Sequence, residues 1–240
     1  MLRHTAFFIH RDTTTPDDRF QMLKGLAYLQ SECEGPVAGD YGEDIFGGSE
    51  RLRAISPFRR TPRWRNRSEG PPSNYDVALH LDFDDQAGMD AYNADDVHHA
   101  IGQYNASIND PELTARVDWW YEGPPQTRRG LVRHTAMFIW TDDSTDADRR
   151  QALDAVRRFE NAPGVASVII GENVGTLTTD YDWLYDVQLV DRATAEQLFN
   201  GQLFGDVMRA VAAATKYEWT ARLTHVMRGS AKLPKVRPSA

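Results

Sequence analysis

The sequence predicts an α+β protein: two ferredoxin-like βαββαβ repeats packed sheet to sheet as an intrachain pseudo-dimeric α+β barrel. Three observations predict it. The segment Arg3-His4-Thr5-Ala6-Phe7-Phe8-Ile9 returns as Arg133-His134-Thr135-Ala136-Met137-Phe138-Ile139. Tyr75-Asp76 returns as Tyr181-Asp182, and Thr114-Ala115-Arg116 as Thr220-Ala221-Arg222, in the same order. Between these landmarks each copy reads strand, helix, strand, strand, helix, strand. The spacing is too long for a solenoid repeat of roughly 20–50 residues, so the chain holds two copies of one small domain.

His4 to His10 reads as a strand, with His4, Ala6, Phe8 and His10 on one face and Thr5, Phe7 and Ile9 on the other. Thr15 is placed to cap a helix, Pro16 suits its first position, and Phe20, Leu23, Leu26, Ala27 and Leu29 form a stripe to about Cys33. In copy two, Thr145-Asp146 leads into Leu153, Val156 and Phe159, and Asn161-Ala162-Pro163-Gly164 stops the helix. Val165 to Gly171 is a clear strand; its counterpart, around Val37 to Tyr41, is weaker. Third strands run Tyr75 to Phe83 and Tyr181 to Leu189. In copy one a helix follows over Ala87 to Tyr92, a break at Asn93-Ala94-Asp95-Asp96, and more helix from Val97 to about Ser107. Last strands cover Leu113 to Tyr121 and Trp219 to Met227. Helices on one face of a sheet leave the other face open, here with Phe7 and Ile9 or Met137 and Ile139. Packing copy one against copy two buries that apolar face.

The expected organisation is a first repeat at 1–123 with an Arg-rich insertion at about 43–74, a linker at 124–130, a second repeat at 131–229 and a flexible tail at 230–240. The insertion carries Arg51, Arg53, Arg59, Arg60, Arg63, Arg65 and Arg67; it reads either as a solvated loop or as a lid whose arginine meets an anionic substrate group. A net charge of −8 argues against a nucleic-acid partner. Cys33 is the only cysteine, which precludes an intrachain disulfide. No run approaches the roughly 18 apolar residues of a membrane helix, and no signal peptide precedes the first strand, so a cytoplasmic location without a membrane partner is expected.

The His-led strands at His4 and His134, the Tyr-Asp strand followed by Phe83-Asp84-Asp85, and Tyr92 followed by His98 after a helix break resemble the stress-responsive A/B barrel (Dabb) family of dimeric α+β barrels. The resemblance covers both copies outside insertion, linker and tail. Through its olivetolic acid cyclase-like members it implies an aldol-type cyclisation driven by a Tyr and a His, without metal or organic cofactor. Tyr92 and His98 match that pair, and His4 matches the family's first-strand His. Asp95-Asp96 stands where the family often has His-Pro, which leaves His99 as a substitute for His98.

The copies differ at this pair. An offset of 130 residues carries His4 onto His134, and one of 106 carries Thr114 onto Thr220; the difference, 24 residues, is the insertion. The second offset carries Tyr92 onto Leu198 and His98 onto Phe204, which cannot pass protons. The expected site is therefore in copy one: His98 takes a proton, Tyr92 holds a carbonyl oxygen, His4 orients one of them, and Phe8, His10, His99 and Trp119 bind an aromatic or polyketide-like substrate. Cyclisation, aldol chemistry, dehydration or isomerisation would follow. The plainer readings are a helix-capping His98, a stripe aromatic at Tyr92 and a hydrogen-bonded core His4. Metal binding is not expected, since the neighbouring His98 and His99 rings diverge. Two other functions stay open: a non-catalytic stress-associated small-molecule-binding protein, and a haem-binding α+β barrel enzyme with His98, His99 or His225 as axial ligand. A further homodimer is also left open.

Overall fold

A computed structural model describes residues 1–47, 74–175 and 181–231. The arginines from Arg51 to Arg67 lie outside the described residues. Copy one contains β1 (Leu2–Phe8), α1 (Pro16–Glu32), β2 (Ala38–Glu43), β3 (Val77–Phe83), α2 (Gln86–Ala94), α3 (Asp96–Ile108) and β4 (Ala115–Trp120). Copy two contains β5 (Val132–Phe138), α4 (Asp146–Arg157), β6 (Val165–Glu172), β7 (Trp183–Leu189), α5 (Arg192–Asn200), α6 (Gln202–Ala214) and β8 (Ala221–Val226). No helix among the described residues is long and apolar enough to cross a membrane.

Local chemistry sets the helix boundaries. Thr15 accepts from the Asp18 backbone N–H, and Asp18 reciprocates at the Thr15 N–H; Thr145 and Asp148 repeat this capping box. Asp95 breaks the second helical region. Its N–H still bonds the Tyr92 carbonyl, while its carboxylate accepts from Val97 N–H at 2.8 Å and from Glu34 N–H at 3.0 Å. One residue thus ends α2, starts α3 and ties the corner to the end of α1. The bend aims both ends of the region, Tyr92 and His98, at the sheet.

Both sheets are antiparallel, in the orders β4-β1-β3-β2 and β6-β7-β5-β8. Phe7, Ile9, Val117 and Trp119 of copy one meet Met137, Leu184 and Leu223 of copy two in one buried layer between the sheets. Ala6, Phe8 and Leu79 face the helices instead, against Leu26, Met89 and Tyr92. Backbone contacts at both edges close the barrel, among them Ile45 N–H to the Thr224 carbonyl and Val174 N–H to the Asp118 carbonyl, each 2.8 Å. Gly171 lets β6 pass over the Trp119 ring, since a Cβ there would sit 2.1 Å from a ring carbon.

The first two residues of the expected tail depart from expectation; 232–240 lie outside the described residues. Instead of leaving the fold after Gly229, the chain adds β9 (Ser230–Ala231) to the edge of β2, pairing with Gly39 and Ala38. Gly229 makes this approach feasible, because a Cβ would lie 1.7 Å from the Gly39 carbonyl oxygen. The barrel interior also holds charge. Arg3 bonds Asp82 at 2.6 Å and, across the seam, Asp186 at 2.8 Å. Arg133 bonds Asp40 across the seam at 2.9 Å and shares Asp186 at 3.2 Å, and His225 bonds Asp40 at 2.8 Å. These side chains are almost wholly buried, so the arginine that opens each repeat is a core residue that holds the halves together.

Candidate active site

Between the copy-one sheet and its helices lies a cavity of about 90 Å³. His4, Ala6 and Phe8 of β1, Tyr92 and His98 of the helical corner, and Arg116 of β4 line it. Ala106 and Pro111 are the exposed lining residues and mark its mouth. The space exists because copy one has small side chains where copy two has large ones. Leu29, Leu79, His98, Gly102 and Pro111 line the cavity, at the places of Phe159, Tyr185, Phe204, Met208 and Tyr217. The copy-two set packs into that half's core.

His4 and its partner carry the clearest chemistry. Nδ1–H of His4 donates to Oδ1 of Asp118 at 2.7 Å, and the Asp118 side chain is fully buried. The pairing fixes the ring and makes Nε2 its basic nitrogen. Strand register produces the pair, since His4 and Asp118 stand opposite each other on β1 and β4. His134 behaves differently: one ring nitrogen bonds Thr224 at 2.8 Å and the other the Tyr185 hydroxyl at 3.0 Å. Burial, then the nearby Arg222 charge, pushes His134 down to about 3. It is a neutral core histidine.

His98 stacks on Tyr92, with ring centroids 4.0 Å apart. Burial, followed by the charges of His4 and His99, pushes it down to about 4, so it is neutral at pH 7 and a weak base. The Tyr92 ring lies 6.4 Å from that of His4. Burial raises its phenol well above the ordinary value, which keeps it a proton donor. Arg116 is half-buried; burial lowers its guanidinium, while Tyr92 and Asp118 act in the opposite direction.

Tyr92, His98, His4 and Phe8 thus share one cavity. His10, His99 and Trp119 do not line it. His10 is buried, bonded through Nδ1 to Asn109 at 2.8 Å. His99 is exposed, its Nε2 on the Asn93 carbonyl at 2.7 Å. Trp119 faces the intersheet layer, where its Nε1–H donates to Thr5 at 3.0 Å. Strand alternation explains this: Trp119 shares a face with Val117, whereas Arg116 and Asp118 share the cavity face. Those two were missed from sequence, although Arg116 stands inside the repeated Thr-Ala-Arg. For haem, His225 has its Nε2 on Asp40 in the barrel interior, and the cavity beside His98 is far below the several hundred Å³ of a cofactor pocket. These residues do not fit that group. Among the described residues no cluster of three or more His, Cys, Asp or Glu is arranged to hold a metal ion.

No protein-family model matches the chain. No curated protein matches it. Solved structures do. An anthrone oxidase-like protein is similar over 100% of this chain and 96% of its own, with a TM-score of 0.64 at 11% identity. The chain has the ferredoxin-like α+β barrel fold. A candidate monooxygenase from Lactobacillus acidophilus NCFM matches over 96% of both chains, with a TM-score of 0.55 at 11% identity. Another, from Fusobacterium nucleatum, covers 97% of this chain and 95% of its own, with a TM-score of 0.55 at 12% identity. At such identities the likeness speaks for the fold.

Proposed function

We propose that copy one is a small-molecule enzyme that moves a proton next to a carbonyl without a cofactor, in the manner of the Dabb cyclases that the sequence resembles. The single observation that carries this is the His4–Asp118 pair on the wall of a cavity that aromatic side chains fill in copy two. Nε2 of His4 takes a proton from the carbon beside the carbonyl. The C–H electron pair forms a C=C bond and the carbonyl π pair moves to the oxygen, which receives a hydrogen bond from the Tyr92 hydroxyl. Asp118 stabilises the imidazolium that forms. The proton then returns to carbon, giving isomerisation, or the enolate attacks a second carbonyl, giving an aldol or cyclised product. This assigns the base to His4 rather than His98. A ring held near 4 takes a proton poorly at pH 7, and its stacking on Tyr92 makes it a positioning residue.

The cavity is smaller than the roughly 150 Å³ that admits a benzene. An aromatic or polyketide-like substrate would therefore place only its reacting end inside. The test is deuterium incorporation into butanone and acetoacetate in D2O, followed by proton NMR. Exchange above the buffer rate, lost in His4→Gln, is expected. A wild-type rate equal to buffer would refute the reaction, and binding without exchange would favour the non-catalytic binding protein.

A further inference from the structure

Two of the polar groups that stand on the cavity wall beside Asn109 and Thr114 are not required by proton transfer. The first is Arg116. Its counterpart Arg222 lies over the Tyr217 ring, 4.6 Å from the centroid, and Pro111 replaces that ring in copy one. The second is Asn105 of α3, which is only 6% exposed. Its Oδ1 is buried without a hydrogen-bond partner and the residue lines the cavity. Copy two has the apolar Val211 at that place. A buried acceptor left unpaired is costly unless a donor meets it. A guanidinium removed from water favours a carboxylate, which it can bind through two parallel N–H bonds.

We infer that the cavity takes a short carboxylate bearing a hydroxyl or enol O–H, with the carboxylate on Arg116 and the O–H donating to Oδ1 of Asn105. The inference rests on reading this cavity as the functional site and narrows its substrate class to small 3-oxo and 3-hydroxy acids. A 3-oxo acid satisfies both groups in its enol form, which is reached when His4 takes the proton beside the carbonyl and a proton returns to the oxygen rather than to carbon. The neutral His98 adds no competing cation at pH 7.

Calorimetric titration of the full chain with 3-hydroxybutyrate, its methyl ester and butyrate tests this. The acid should bind at least tenfold more tightly than the ester. Arg116→Met should abolish that difference, and Arg116→Lys, which keeps the charge, should retain part of it. Asn105→Val, the copy-two residue, should bring 3-hydroxybutyrate down to the affinity of butyrate and leave butyrate unchanged. Thermal unfolding of each variant confirms that it is folded. Equal wild-type affinity for acid and ester, an undiminished preference in Arg116→Met, or no binding of any probe would overturn the inference. The exchange assay keeps the two ideas separate. Acid-selective binding without exchange removes the proposed reaction and leaves the ligand class standing. Exchange of neutral butanone without preference for the acid does the reverse.

Discussion

Replacing Gly102 with methionine should make the protein more stable and its cavity useless. Gly102 lies on α3 and lines the cavity, and a Cβ built there meets nothing within 4 Å. Copy two already has the buried Met208 at that position. Two contributions act in the same direction. Glycine inside a helix costs about 1 kcal/mol relative to a good helix former such as methionine. Filling a cavity of about 90 Å³ gains at most about 2 kcal/mol, at roughly 24 cal/mol per Å³. The sum, about 1–3 kcal/mol, raises Tm by about 2–12 °C at roughly 2–4 °C per kcal/mol for a chain of this size. Scanning calorimetry reads the stability, and titration with 3-hydroxybutyrate reads the cavity, where affinity should fall more than tenfold. Gly102→Ala separates the contributions: it should gain the helix part, about 1 kcal/mol, and keep most of the binding. A lower Tm for Gly102→Met, or unchanged affinity, would refute the claim that this glycine holds the cavity open.

Two other predictions concern the fold. His98 and His134 sit near 4 and 3, below their ordinary 6.5, so the unfolded chain binds protons that the folded chain does not. Stability should be complete above pH 6.5 and fall as pH drops through about 4 for His98 and about 3 for His134. The fully buried His134 should account for on the order of 5 kcal/mol of the loss. Urea unfolding at pH 7, 5.5 and 4 checks this, and a flat profile would count against the neutral core histidine. Asp186→Ala should cost about 3–5 kcal/mol, since it leaves Arg3 and Arg133 buried without the carboxylate they share. A denaturation midpoint close to wild type would show that the seam does not depend on this anion.

The repeat made most of the fold legible. Landmarks met twice fix element order without any knowledge of contacts, and Thr15 and Thr145 announce their helices through side chains that act within one turn. The break at Asp95 was equally local. What stayed hidden depends on register or on distant parts of the chain. Asp118 becomes a catalytic candidate only because antiparallel pairing sets it opposite His4. The same register turns Trp119 away from the cavity, although its neighbour Trp120 has an indistinguishable sequence signature. Arg3 looks like a surface residue until Asp186, 183 positions later, is folded against it. The two-residue pairing of β9 is too short to leave a hydrophobic pattern. Tyr92 and His98 were legible because they sit on consecutive helices joined by one recognisable break.

The ionic seam has a consequence for how such a chain can change. In a homodimer every substitution appears twice, once on each side of the symmetry axis, so a residue that opens one pocket opens both. Here Asp186 faces two arginines, whereas its counterpart in copy one is His80. Asp40 likewise binds Arg133, whereas the strand position matching it in copy two is Ile169. The two halves therefore bring different charges to the seam. Covalent fusion released the two halves from obeying one design, so aromatic packing could consolidate one while the other kept a hollow lined with groups that would be liabilities in a core.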